Sequence, residues 1–171
     1  ITELYGADIK VCHDSTKSLL PAMAAALRSW QSDPTAMYVV GSVCGPHPYP
    51  LMVRTFASII GRIAKKQIKD LTGKSPSTVF AVCGGGSNLS AISYPFYNEK
   101  SVDIFGIESA GKGIASGAHA ATITSKAPIG ILLGARSNVL MDADGQVDPS
   151  ETEASGLDFS GTGPEICYMA S

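Results

Sequence analysis

Val79-Phe80-Ala81-Val82-Cys83-Gly84-Gly85-Gly86-Ser87-Asn88-Leu89-Ser90 is an apolar run that ends in three glycines, a Ser-Asn pair and residues able to open a helix. Read physically, this is a strand, a bare backbone turn and a helix N-terminus. Three glycines without Cβ atoms let main-chain N–H groups crowd around an oxyanion. Ser87 and Asn88 add side-chain donors, and the helix that follows brings its positive end to the same place. The stretch reads as a phosphate cup, against the plainer alternative of a tight strand-to-helix turn with no ligand.

Working outward, the elements on either side alternate. Ile9 and Val11 give an apolar-polar alternation over Asp8 to Asp14, read as a strand. Ser15 or Thr16 can cap the next helix, which runs to about Ser32 with Leu19, Leu20, Met23, Leu27 and Trp30 on one face. Met37 to Val40 reads as a second strand. Gly45-Pro46-His47-Pro48-Tyr49-Pro50 then makes a stiff, extended loop, with His47 read as structural or exposed rather than catalytic. Leu51 to Leu71 has one apolar face (Val53, Phe56, Ile59, Ile60, Ile63, Ile68) and predicts a long helix stopped by Gly73. After the strand Thr78–Val82, a helix is expected from Ser87 to about Tyr97, and a fourth strand over Val102–Ile107 ending at Glu108. Strand and helix in turn argue for an α/β fold, a parallel sheet flanked by helices.

From Ser109 onward the texture is small and polar. Ile129 to Leu133 is a short strand, and Asp142 to Gln146 a polar hairpin turn without the distal ligands of a calcium loop. Leu157-Asp158-Phe159 sits in a glycine-rich frame, as a ligand gate or a simple turn.

The 171 residues carry a formal net charge of -2 with 16% charged residues, which gives no reason to expect nucleic acid or a membrane as partner. Cys12, Cys44, Cys83 and Cys167 form no CxxC pair and read as free thiols of a reducing compartment. The chain opens at Ile1 on what reads as a helix end with its glycine stop, Gly6, and ends on what reads as the start of a helix. Both ends are expected to be cuts in a longer chain, with a core that is incomplete without it.

Two ligands suit the cup. In the dinucleotide reading, Gly84 and Gly86 supply two fingerprint glycines and Glu108 would meet a ribose, but Leu89 stands where a third small residue is required. In the monophosphate reading, the extra glycine and the Ser-Asn donors suit a compact terminal phosphate, as of pyridoxal phosphate.

The Gly45–Pro50 loop, Cys83–Asn88, Asp144-Gly145-Gln146 and Ser155–Phe159 resemble, in order and spacing, the tryptophan synthase β chain family over essentially the whole chain. That resemblance implies a fold-type II pyridoxal-phosphate lyase of tryptophan biosynthesis, incomplete here. It implies residues 1–41 as the end of a smaller, mobile domain and 42–171 as part of the larger phosphate-binding domain. The implied reaction joins L-serine and indole to give L-tryptophan, with an α chain and a second β chain as partners in an α2β2 assembly of the cytoplasm or a plastid stroma. Gly84, Gly85, Gly86, Ser87 and Asn88 would hold the cofactor phosphate, with Ser42 beside it. Val40 and Phe159 would line the indole pocket, and Asp158 would close over the serine-derived intermediate. Backbone carbonyls of Gly84, Phe159 and Gly161 would hold a monovalent cation, Na+ or K+. The family's Schiff-base lysine has no counterpart here, since Lys10, Lys17 and Lys112 stand elsewhere. The 171 residues alone are therefore expected to be inactive and marginally stable or associated.

The sequence departs from the family at Ser18-Leu19-Leu20-Pro21-Ala22, at Leu132 and Leu133 where the indole tunnel carries rings, and at Lys112-Gly113. A non-catalytic module that keeps the fold without the chemistry stays open beside the enzyme reading.

Overall fold

The computed structural model describes residues 1–13 and 18–171, which divide into two units, Ile1–Val39 and Val40–Ser171. Asp14, Ser15, Thr16 and Lys17, including the expected helix caps, lie outside the described residues.

In the first unit, Thr2–Tyr5 is a 3-10 turn stopped by Gly6, as the sequence predicts, with the Gly6 N–H donating to Glu3 O at 2.9 Å. Helix α1 spans Leu19–Ser32, with Pro21 confined to its first turn, where no helix hydrogen bond is lost. Asp33 ends it, accepting bonds from the Thr35 N–H at 2.9 Å and the Thr35 hydroxyl at 2.6 Å. Behind that turn Trp30 stacks on Tyr38 at 5.5 Å.

The two strands expected at Asp8–Asp14 and Met37–Val40 do not form in the described residues. An extended segment becomes a strand only when a neighbour takes its backbone bonds. No described segment pairs with either one, and Ile9, Met37 and Val39 are exposed.

The second unit holds the core. Helices α2 (Tyr49–Ala57) and α3 (Ile59–Thr72) replace the single long helix that the periodicity predicts. The break is Ser58, fully buried, whose hydroxyl donates to Thr55 O at 2.7 Å. Such back-bonding by a serine bends a helix while the backbone bonds carry through. Here Ser58 N–H reaches Arg54 O and Arg62 N–H reaches Ser58 O, both at 2.9 Å.

Strand β1 (Thr78–Val82) and strand β2 (Asp103–Ile107) pair in parallel, with Thr78 opposite Asp103 and Val82 opposite Ile107. Between them the chain crosses over through helix α4 (Ser87–Ser93), which is shorter than expected. Pro95 cannot donate to a continuing helix, and Tyr94–Phe96 tightens into a 3-10 turn. Alternate β1 residues Val79 and Ala81 face the core, packing with Phe96, Val102, Leu89 and Ile166. Phe80 and Phe105 stack at 5.2 Å on the opposite, exposed face. Helix α3 meets α4 at Gly61, where a Cβ would lie 2.4 Å from Ile92 O.

The strand expected at Ile129–Leu133 turns back on itself. Strand β3 (Ile129–Leu132) pairs antiparallel with strand β4 (Ala135–Asn138). The two-residue turn between them puts Leu133 at φ 50° and Gly134 at φ 81°, the left-handed pair that a tight hairpin requires. The Asp142 turn forms as predicted, its Oδ1 accepting the Asp144 and Gln146 N–H groups at 3.0 and 2.8 Å. Helix α5 (Pro164–Ala170) closes the chain, and its Glu165 pairs with Arg54 of α2 at 3.2 Å. No described helix is long and apolar enough to cross a membrane.

Candidate functional site

The cup forms where β1 ends, and its shape follows from where its carbonyls go. Gly84 O accepts the Thr162 hydroxyl at 3.2 Å. Gly85 O accepts the Gly163 N–H at 2.9 Å and the Cys44 thiol at 3.4 Å. Gly86 O accepts the Ser90 N–H at 2.9 Å. In a planar trans peptide the C=O of one residue and the N–H of the next point in opposite directions. Tying these three carbonyls into the protein therefore turns the N–H groups of Gly85, Gly86 and Ser87 the other way. Among the described residues, none of these N–H groups, nor those of Gly84 and Asn88, donates to a protein acceptor. The result is a row of unspent donors at the end of a strand, the donor type that anion-binding nests use.

Glycine is required for this arrangement. Gly86 adopts φ 99°, and a Cβ there would meet Ile166 Cγ1 at 2.8 Å. A Cβ on Gly85 would lie 3.0 Å from Cys44 Sγ, and one on Gly84 would lie 3.1 Å from Leu157 Cα.

Around the cup the structure brings together most of the residues singled out in the sequence. The Ser87 hydroxyl accepts the Val43 N–H at 3.1 Å, so its oxygen faces the Ser42 loop. Ser42 Oγ accepts the Cys44 N–H at 3.1 Å and lies 3.7 Å from the Gly85 Cβ position. Phe159, buried, sets Cδ1 3.7 Å from that same position. Gly161 bridges to Val139, and Leu132 Cδ2 occupies the place where a Gly161 Cβ would be. Asn88 is exposed at the rim. Val40 is half-buried, two residues before Ser42. Asp158 follows Leu157, which backs Gly84, and its Oδ1 accepts the Ser150 hydroxyl at 2.6 Å.

Two thiols flank the cup. Burial pushes the Cys44 thiol up to about 11 and the Cys83 thiol up to about 12, so both are protonated and unreactive at neutral pH. Among the described residues no group of three or more His, Cys, Asp and Glu side chains is placed to hold a metal. His47 is exposed in the Pro-rich loop. Lys112 is paired with Glu151 at 2.8 Å, which holds its ammonium above the usual lysine range.

The residues that sequence reasoning missed are Thr162, Gly163 and Thr122. They lie far along the chain from the cup and carry no motif of their own. Glu108, the ribose ligand of the dinucleotide reading, is already spent. Its carboxylate accepts the N–H groups of Ile123 and Thr124 at 3.0 and 2.7 Å and the Thr124 hydroxyl at 2.7 Å. It borders a separate cavity of about 420 Å³, beside Leu89, Ile104 and Ile166.

The chain is 40% identical over 168 residues to the tryptophan synthase beta chain of Chromobacterium violaceum, covering 98% of this chain and 42% of that protein. It is 42% identical to the tryptophan synthase beta chain of Methylobacterium radiotolerans and 40% to that of Methylobacterium nodulans, again over 168 residues. This chain is homologous to a segment of the tryptophan synthase beta chains. It spans about two fifths of the length of these relatives, 40–42%. No family model matches it.

Proposed function

We propose that this chain is the phosphate-holding part of a pyridoxal-phosphate-dependent lyase that joins L-serine and indole into L-tryptophan. The observation that carries the reading is the row of outward N–H groups from Gly84 to Asn88, set in a chain whose relatives are tryptophan synthase beta chains. A phosphate dianion needs several unspent N–H donors, and the donor set fits it. When bound, pyridoxal phosphate supplies the electron sink for chemistry at the amino-acid substrate.

The chain's own residues take the following parts. The cup peptides and the Ser87 and Asn88 side chains bind and orient the phosphate, with Ser42 beside it. Phe159 and Val40 form an apolar wall for the indole ring. Asp158, held by Ser150, is the acid that closes over the serine-derived substrate. The carbonyls of Phe159 and Gly161 are unpaired among the described residues, and Gly84 O carries, beyond its Thr162 bond, only the long Cys83 thiol contact, which suits a monovalent cation. Residues 42–171 belong to the phosphate-binding domain and 1–41 to the end of its neighbour. The partners are an α chain that makes the indole and a second β chain, in a cytoplasmic setting.

The test uses the whole protein that carries this chain, supplied with pyridoxal phosphate, L-serine and indole. Tryptophan formation that is lost in Asp158→Asn supports the reading. NAD binding without tryptophan formation overturns it.

A further inference from the structure

Behind the cup lies a pair of threonines that the chemistry above does not use. Thr122 and Thr162 are 1% exposed, and their hydroxyl oxygens are hydrogen-bonded to one another. Thr162 Oγ1 also lies 3.2 Å from Gly84 O, and Thr122 Oγ1 lies 3.3 Å from Glu108 Oε1. That makes three contacts for two hydroxyl protons, since a carbonyl and a carboxylate only accept. Counting donors decides the direction. Glu108 Oε1 already holds the Ile123 N–H at 3.0 Å, and Oε2 holds two donors from Thr124. Gly84 O has, besides Thr162, only the Cys83 thiol at 3.8 Å, a long and weak contact. Every acceptor is served when Thr122 donates to Thr162 and Thr162 donates to Gly84 O.

We propose that Thr162, oriented by Thr122, is a positioning residue for the phosphate cup, locking the Gly84–Gly85 peptide so that the Gly85 N–H faces the anion. This rests on the reading of the cup as a phosphate site. The lock has a task because the peptide it holds joins two glycines. With no Cβ on either side, that peptide can flip at little steric cost. A flip would point the Gly84 carbonyl, a dipole of the wrong sign, at the phosphate.

The experiment uses isotope-labelled whole protein with inorganic phosphate as probe, in wild type, Thr162→Val and Thr162→Ser. Valine keeps the shape of threonine and removes the donor. Thr162→Val is expected to weaken phosphate binding about tenfold, the factor of one ordinary hydrogen bond, and to move the Gly84 carbonyl carbon resonance. Thr162→Ser keeps the donor and is expected to stay within about twofold of wild type. Should the valine variant not fold, Thr162→Ala carries the same two readouts. Unchanged phosphate affinity in the donor-free variant overturns the proposal, whether or not the resonance moves. If wild type itself binds no phosphate, the cup reading fails. The Gly84 resonance then decides the lock alone: a shift in the donor-free variant upholds it, and an unmoved signal overturns it.

Discussion

The Gly163 N–H donates to the carbonyl oxygen of Gly85 at 2.9 Å, so a turn near the end of the chain fixes the middle of the glycine cup. Between them, Val43 closes the stack, its carbonyl oxygen 2.8 Å from where a Gly163 Cβ would stand. Cup, Pro-rich loop and the turn before α5 are thus one packed unit.

Gly163→Ala tests that unit. The added methyl meets backbone at Val43 O and at Gly85 O, 3.1 Å away, which cannot swing aside as a side chain would. The expected loss of stability is about 1–3 kcal/mol, read from urea unfolding of the whole protein. Phosphate binding should weaken with it. A variant as stable as wild type would mean that the turn is looser than described.

Ser87→Ala removes the acceptor for the Val43 N–H, and Val43 is 1% exposed. A buried donor left unpaired costs about 1–3 kcal/mol. The loss should appear in chemical unfolding and should be absent in Asn88→Ala, since Asn88 is exposed.

Glu108→Gln separates the two readings of the cup. Three donors converge on the carboxylate, so an amide NH₂ would face N–H and O–H groups. The fold should lose about 1–3 kcal/mol, with no change in any affinity for NAD. A stable Glu108→Gln variant whose NAD binding falls would restore the dinucleotide reading.

The buried thiols set a pH dependence. An acid whose folded value is raised favours the fold while it stays protonated. Cys44 and Cys83 rise from 9.0 to about 11 and about 12 through burial. Their contribution is full below pH 9.0 and is lost as pH rises through the folded values. Urea midpoints should therefore drop between about pH 9 and about pH 12, less steeply in Cys83→Ala. At neutral pH, alkylation followed by mass spectrometry should find exposed Cys12 modified first. Early modification of Cys83 would contradict the burial.

Local signals in the sequence predicted the central parts of this structure well. The apolar run at Val79–Val82 and the glycines after it read directly as strand and turn, because both depend on neighbouring residues. The second parallel strand was equally plain at Asp103–Ile107. The segments at Ile9–Val11 and Met37–Val40 had strand composition, yet a strand needs a partner, and none of the described residues supplies one. The break at Ser58 was hidden because serine occurs throughout helices and only its burial makes it bend one here. Hairpin β3–β4 was missed because Leu133 at φ 50° is not a turn residue by type. The Thr162–Gly84 bond joins residues 78 apart and has no local signature.

The central claim is that the peptides from Gly84 to Asn88 bind a phosphate. Titration of labelled whole protein with inorganic phosphate, followed by amide proton–nitrogen correlation spectra, tests it most directly. The prediction is saturable downfield movement of the Gly85, Gly86, Ser87 and Asn88 amide signals, the Glu108 region staying still. Phosphate-induced shifts that leave these four amides unmoved would contradict it.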